Sequence, residues 1–161
     1  MFASPSTPPS EPTLQKATID DIPTIKAMVD KAYSIYIERM GKKPAPMSED
    51  WERTLQTHDV LNLKESDLIV GSITFHIEHD LHALKIDNVV VNPATQGRGY
   101  GRFLIRHAEM EARQRGIPTV TLYTNAKMVE NIGMYKKLGF EETGTIVEDG
   151  FERVYFHKCI E

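Results

Sequence analysis

The sequence predicts an α/β domain of the α+β kind, built on a mixed, mostly antiparallel sheet with one parallel strand pair. Three observations carry that expectation. Residues 60–91 hold three strand-like runs joined by short turns, so these strands are antiparallel neighbours. The apolar spacing then turns helical over 101–115 and strand-like again over 119–123, the pattern of a βαβ unit with a right-handed crossover and parallel strands. The chain closes on two strands around an Asp149-Gly150 hairpin turn.

In chain order the elements read βααβββαβαββ. The opening is rich in Pro, Ser and Thr, so residues 1–13 are expected as a disordered tail and 14–161 as one domain. Residues 14–18 make a short first strand. Asp20 or Asp21 caps the next helix, Pro23 is tolerated in its first turn, and Ile22, Ile25, Met28, Val29, Ala32, Tyr33 and Tyr36 recur at helical spacing. Gly41 and the stretch from Pro44 to Pro46 end that helix. Ser48 is expected to cap a shorter one reaching about Gln56, with Trp51 and Leu55 on one face. Strands follow over 60–64, 68–77 and 83–91, with turns over 65–67 and 79–81. The helix over 101–115 presents Phe103, Leu104, Ile105, Ala108 and Ala112, and Gly116 supplies its C-cap. A last helix over about 128–138 stops at Gly139, and strands over 140–147 and 152–158 complete the order.

Composition narrows the function. The 161 residues are 40% hydrophobic and 26% charged, enough for one domain with its own core. A net charge of -4 argues against general binding of nucleic acid or anionic membrane, both of which need clustered Lys and Arg. Cys159 stands alone, so no intramolecular disulfide forms and a reducing compartment is expected. The N-terminal stretch lacks the basic start and apolar core of a secretory signal, and no apolar run approaches the ~20 residues of a membrane helix. The expected location is the cytoplasm.

The most informative segment joins the strand ending Val89-Val90-Val91 to the helix through Asn92, Pro93, Ala94, Thr95, Gln96, Gly97, Arg98, Gly99, Tyr100 and Gly101. Glycines let the backbone adopt positive φ and approach a ligand closely, and unpaired amides at a helix start converge on one point. That is a nest for phosphate or pyrophosphate, with Arg98, Arg102 and Arg106 adding positive charge nearby. A P-loop would need Lys-Ser or Lys-Thr after its last glycine, and a dinucleotide fingerprint would need G-x-G-x-x-G rather than the G-x-G-x-G found here. The plain alternative is a tight strand-to-helix turn without a ligand.

The run Gln96-Gly97-Arg98-Gly99-Tyr100-Gly101 resembles the Q/R-x-x-G-x-G/A signature of the GNAT superfamily of N-acetyltransferases. Asn131-Ile132-Gly133-Met134-Tyr135-Lys136-Lys137-Leu138-Gly139-Phe140 resembles that family's N-x-x-x-Y-x-x-x-G-F motif. The two motifs flank a βαβ unit, and the resemblance covers the chain from Leu14 onward. It implies helices on both sheet faces and a parallel pair that splays apart. It further implies acetyl-CoA as co-substrate and direct attack by an amine in a ternary complex. By this resemblance Gln96, Gly97, Arg98, Gly99, Tyr100, Gly101 and Arg102 hold the pyrophosphate, the main chain of Val89 and Val91 pairs with the pantetheine arm, and Tyr135 donates a proton to the departing thiolate. The Val91 amide would serve the oxyanion.

Asn131, one turn before Tyr135, and Asn125, just after a strand, are expected to bind the coenzyme or to act only as caps. The commonest family spacing puts an asparagine where this chain has Met128. Asp87 is the first candidate for the base, because it alternates with Val89 and Val91, and Glu78 is the second. Asp87 as a solvated edge carboxylate, and Tyr135 as a core aromatic, are the plainer alternatives. His76, His79 and His82 are evenly spaced, yet residues three apart on a strand face opposite sides, so no metal is expected. Cys159 reads as an inert packing residue and Lys136-Lys137 as a solvated helix face. The acceptor falls to the first two helices, the loop over 40–47 and the final hairpin, which carry no motif. Small amines, antibiotics, amino acids, polyamines and protein N-termini all stay open. A homodimer is an expectation from folds of this kind, not from any stretch of this sequence. A catalytically silent acyl-CoA-binding module and a nucleotide-binding domain of another kind are the alternatives to an enzyme.

Overall fold

Residues 11–160 are described by the computed structural model. Seven strands, β1 (Thr13–Lys16), β2 (Asp59–Glu65), β3 (Leu68–Glu78), β4 (Ala83–Val91), β5 (Thr119–Asn125), β6 (Glu141–Glu148) and β7 (Phe151–Cys159), form one sheet in the order β1-β2-β3-β4-β5-β7-β6. Every neighbouring pair is antiparallel except β4 and β5. Five helices accompany them: α1 (Ile22–Tyr33), α2 (Ile35–Met40), α3 (Trp51–Thr57), α4 (Tyr100–Gln114) and α5 (Val129–Lys137). None is long and apolar enough to cross a membrane. The expected tail over 1–10 lies outside the described residues, and β1 already includes Thr13.

Two departures from the sequence reading have local causes. The helix expected to run unbroken past Tyr36 divides into α1 and α2 at Ser34, whose hydroxyl donates to the Lys31 carbonyl at 3.2 Å. A serine that bonds back to the preceding turn competes with the helical ladder. The cap of α3 is Asp50, not Ser48: Asp50 Oδ1 accepts from the Arg53 amide at 3.3 Å, while Ser48 closes a short 3-10 turn, Ala45–Ser48. Asp21 holds the N-cap position of α1 but makes no side-chain bond to it; its carboxylate accepts from the Thr18 amide at 2.9 Å and so closes the 3-10 turn Ile19–Asp21 that precedes α1.

Two cores form because successive residues of a strand point to opposite faces. Val90 packs with Ile25, Met28, Val29, Trp51 and Val60 beneath α1 and α3. On the other face Leu104, Ile105, Ala108 and Ala112 of α4 join Ile73, Phe75, Leu84, Val120, Leu122 and Phe156, with Tyr135 of α5 at the margin. Burying one such leucine contributes about 2 kcal/mol.

The sheet is not closed at its middle. β4 and β5 pair only from Ala83 opposite Thr119 to Ile86 opposite Leu122. β4 continues to Val91 and β5 to Asn125, where only β7 accompanies it. A bulge sits at the branching point: Thr74 faces Asn88 and Phe75 faces Ile86, which leaves Asp87 as the extra residue. The parallel strands therefore diverge from Asp87 onward.

Candidate active site

The gap between the strands exposes main-chain groups. The Asn92 amide donates to the Val70 carbonyl of β3 at 2.8 Å. With a period of two, the backbone of Val90 also turns to β3, and that of Val89 and Val91 turns to the gap. Tyr33 of α1 donates to Asn88 Oδ1 at 2.8 Å and lies 3.3 Å from the Val89 carbonyl.

Beyond Val91 the chain makes a 3-10 turn, Pro93–Thr95, held by Asn92 Oδ1 accepting from the Ala94 amide at 3.0 Å. Gly97 and Gly99 then take φ of 86° and 80°, where a side chain would be strained, and a Cβ on either would meet open space. Gly99 is the N-cap of α4 and brings no side chain to the helix end. Gln96 donates a long bond of 3.4 Å to the Pro93 carbonyl, whereas the amides of residues 97–102 meet no acceptor among the described residues. The turn therefore leaves these amides free of protein acceptors among those residues.

The charge around it differs from the sequence expectation. Arg98 pairs with Glu65 at 3.2 Å, and the Tyr100 hydroxyl donates to the same carboxylate at 2.5 Å. That bond holds the Tyr100 phenol above its usual pKa. Arg106 turns to Glu109 at 4.0 Å. Arg102 keeps its charge at the site and, with Lys137, lines a shallow recess beside α5.

Two cavities meet under the splayed strands. One follows the gap past Val89 and Val91 to Gln96, Gly97, Gly99, Gly101 and Arg102. The other opens over the sheet between Glu49, His58, Asp87, Tyr123 and Arg153, beneath Pro44, Ala45 and Pro46. Tyr33, Val89, Asn131 and Tyr135 line both, so they mark the junction. Lys42 ties the roof to the last hairpin by donating to the Gly150 carbonyl at 2.6 Å. Arg39 of α2 pairs with Glu130 of α5 at 2.8 Å, which raises the guanidinium pKa and lowers that of the carboxyl.

Tyr135 is both a core aromatic and part of both cavity walls. Its ring packs against Phe140 and Phe156, and burial pushes the phenol up to about 12, so it stays protonated. The hydroxyl has no partner among the described residues and is not sealed from the cavities. Burial also raises Tyr33 well above the usual phenol range, with Tyr135 close by.

Asp87 does not sit by simple alternation; the bulge sets its direction. Its Oδ2 lies 2.6 Å from His76 Nδ1 and 3.7 Å from His58 Nε2. Thr57 Oγ1 lies 3.1 Å from the Arg53 carbonyl and 2.6 Å from His58 Nδ1, which leaves His58 Nε2 facing Asp87. Donor atoms of His58, His76 and Asp87 all lie within 4.8 Å, a grouping that could hold a metal ion. At 2.6 Å the His76–Asp87 contact is a hydrogen-bond distance.

The remaining candidates divide between the cavity walls and the surface. Asn125 Oδ1 accepts from the Lys127 amide at 2.9 Å, which leaves its amide nitrogen for the cavity. Asn131 Nδ2 points to Met128 Sδ at 3.7 Å. Glu78 sits 4.0 Å from Lys85 and lines neither cavity. His79 and His82 stay in the β3–β4 turn. Cys159 is exposed, not packed. His58, Glu49 and Arg153 were missed by sequence reasoning, because only the tertiary fold brings them to the cavity.

The sequence model of the Acetyltransferase (GNAT) family matches residues 25–140, and the chain belongs to that family. The mycothiol acetyltransferase of Jonesia denitrificans is 32% identical over 94 residues, 58% of this chain and 30% of that protein. The peptidyl-lysine N-acetyltransferase YjaB of Escherichia coli is 30% identical over 93 residues, 58% of this chain and 56% of that protein. The matched stretches span about a third to a half of these relatives' own length. The fold is shared with the ribosomal-protein-S18-alanine N-acetyltransferase from Escherichia coli, with a TM-score of 0.74 at 19% identity over 92% of this chain and 94% of that one. PaiA N-acetyltransferase from Thermoplasma acidophilum, solved with coenzyme A, also scores 0.74, at 18% identity over 92% and 99%.

Proposed function

We propose that the protein is an acetyl-CoA-dependent N-acetyltransferase that acts on a primary amine by direct attack in a ternary complex. The meeting of the two cavities at Tyr135, beneath a splayed strand pair that ends in an open amide nest, carries this reading. In it, the amides of Gly97 to Arg102 hold the pyrophosphate. Gln96 and Arg102 flank it, and Arg98 and Tyr100 act through the backbone while their side chains stay on Glu65. The pantetheine arm extends β4 through the main chain of Val89 and Val91. Asn131 and, more peripherally, the Asn125 amide nitrogen bond the arm.

The acceptor amine enters from the cavity of Asp87. An alkylamine with a pKa of about 10.4 must lose its proton before attack. Asp87, oriented by His76 and backed by His58, takes that proton. The nitrogen then bonds to the thioester carbon, and the oxyanion meets the Val91 amide. As the carbon–sulfur bond breaks, the Tyr135 hydroxyl gives its proton to the thiolate, and the proton that the acylated nitrogen sheds on becoming an amide restores the phenol.

Relatives named mycothiol acetyltransferase, peptidyl-lysine N-acetyltransferase and ribosomal protein bS18-alanine N-acetyltransferase agree on acetyl transfer and differ in the rest of their names. The test is incubation with acetyl-CoA and a panel of amino acids, polyamines and peptides, read by mass spectrometry. Acetylated amine together with free coenzyme A is expected. Tight acetyl-CoA binding with no product from any amine would favour the silent binding module instead.

A further inference from the structure

We infer that the acceptor carries a carboxylate as well as its amine, and that Arg153 binds that carboxylate. This rests on the transferase reading above and names its substrate class.

Arg153 lies on β7 opposite Asn125, at the open end of β5. It is 9% exposed, on the wall of the acceptor cavity. Its guanidinium lies 4.6 Å from the Tyr123 ring centroid and 5.5 Å from that of Phe151, two other residues of that wall. Ring contacts satisfy the guanidinium faces and leave its edge N–H groups to find acceptors.

Those acceptors are largely missing from the protein. Among the described residues the guanidinium donates one hydrogen bond, a long one of 3.4 Å from Nη1 to Glu148 Oε2. Glu148 is itself divided, since its Oε1 accepts from the Tyr155 hydroxyl. A guanidinium has five N–H donors, and leaving such a group buried with one long bond is unfavourable. None of its nitrogens is among the sealed polar atoms without partners, and the residue lines the cavity. A planar fork with free donors in a partly desolvated, aromatic-walled cleft matches a carboxylate, which it can grip through two parallel bonds.

The same cleft also carries the opposite sign. Asp87 lies on β4, one strand beyond Tyr123 of β5, and Glu49 lines the same cavity. An amine that also bears a carboxylate finds an anion beside its ammonium and a cation beside its acid. A polyamine would instead set a second cation against Arg153, at a cost in electrostatic repulsion. Amino acids and short peptides with a free carboxylate are therefore the class assigned.

The experiment uses the full chain with acetyl-CoA and three matched sets of amines: free amino acids, their amides, and the corresponding decarboxylated amines. Initial rates give kcat/KM for each. The free acids of the accepted side chains are expected to exceed their amides by about tenfold to a hundredfold, the range of a charge-assisted contact. Arg153→Met is expected to pull that ratio towards one. Calorimetric binding of acetyl-CoA to the variant reports whether it is folded, and the wild-type contrast decides the matter if it is not. Wild-type turnover of amides and decarboxylated amines as fast as the acids would overturn the inference while leaving the transferase standing. Absence of turnover across all three sets, with acetyl-CoA bound, would remove the transferase reading and this inference with it.

Discussion

Tyr135 is the residue on which the proposed chemistry turns, and its environment makes a specific demand. A phenol held near 12 is protonated at neutral pH, so its proton is in place when the thiolate leaves. Tyr135→Phe keeps the ring contacts with Phe140 and Phe156 and removes only that proton. It should lower kcat by about 10²-fold or more with little change in acetyl-CoA affinity, measured by steady-state rates and calorimetry. At Asp87 the prediction is different, because the carboxylate is shared with His76 and His58. Asp87→Asn should lower the rate most near neutral pH and recover part of it at alkaline pH, where more of the amine is already neutral; a uniform loss across the pH range would argue for a structural role. Tyr135 could be found from the sequence because it sits in a local motif whose parts are one helical turn apart. His58 and Arg153 could not, because each reaches the cavity only through pairing with strands far away in the chain. Asp87 was found, but for an incomplete reason: alternation placed it, whereas a bulge directs it.

At the level of elements, strands and helices were readable wherever apolar spacing and turn residues agreed. The β3–β4 hairpin, α4 with Gly116, and the Asp149-Gly150 turn are such cases. The division at Ser34 and the cap at Asp50 were not readable, since Ser and Asp residues near a helix end offer several equivalent bonds and the surrounding packing selects among them. The divergence of β4 and β5 has no local sequence mark either; it came from family resemblance, and the register shows where it begins. One further element-scale feature anchors the sheet to α4. Lys158 of β7 pairs with Glu109, which is 4% exposed, and also donates to the Leu138 carbonyl at 2.7 Å. Lys158→Met would leave the buried Glu109 carboxylate with only the 4.0 Å contact of the half-exposed Arg106. It should destabilise the protein by about 3 kcal/mol, read as a lower midpoint in urea unfolding.

For the molecule as a whole, the buried phenols set a limit at alkaline pH. Tyr33 and Tyr135 are raised chiefly by burial, and Tyr155 is pushed up to about 12 by burial and by Glu148. The folded protein holds these protons where the unfolded chain, with phenols near 10.0, has released them. Their stabilisation is complete below pH 10 and is lost as pH rises towards 12, with Tyr135 alone worth about 3 kcal/mol. Melting temperature should therefore fall across that window, and Tyr135→Phe should flatten the fall. Ligand linkage works in the other direction: acetyl-CoA at a hundred times its Kd should stabilise the fold by about 2.7 kcal/mol. The measurement that bears most directly on the central claim is an amide-resolved NMR titration of the protein with acetyl-CoA. The amides of Gly97, Gly99, Gly101 and Arg102, together with Val89 and Val91, should move together and saturate at one stoichiometric equivalent. Saturable binding that leaves those amides unmoved and shifts others would contradict it.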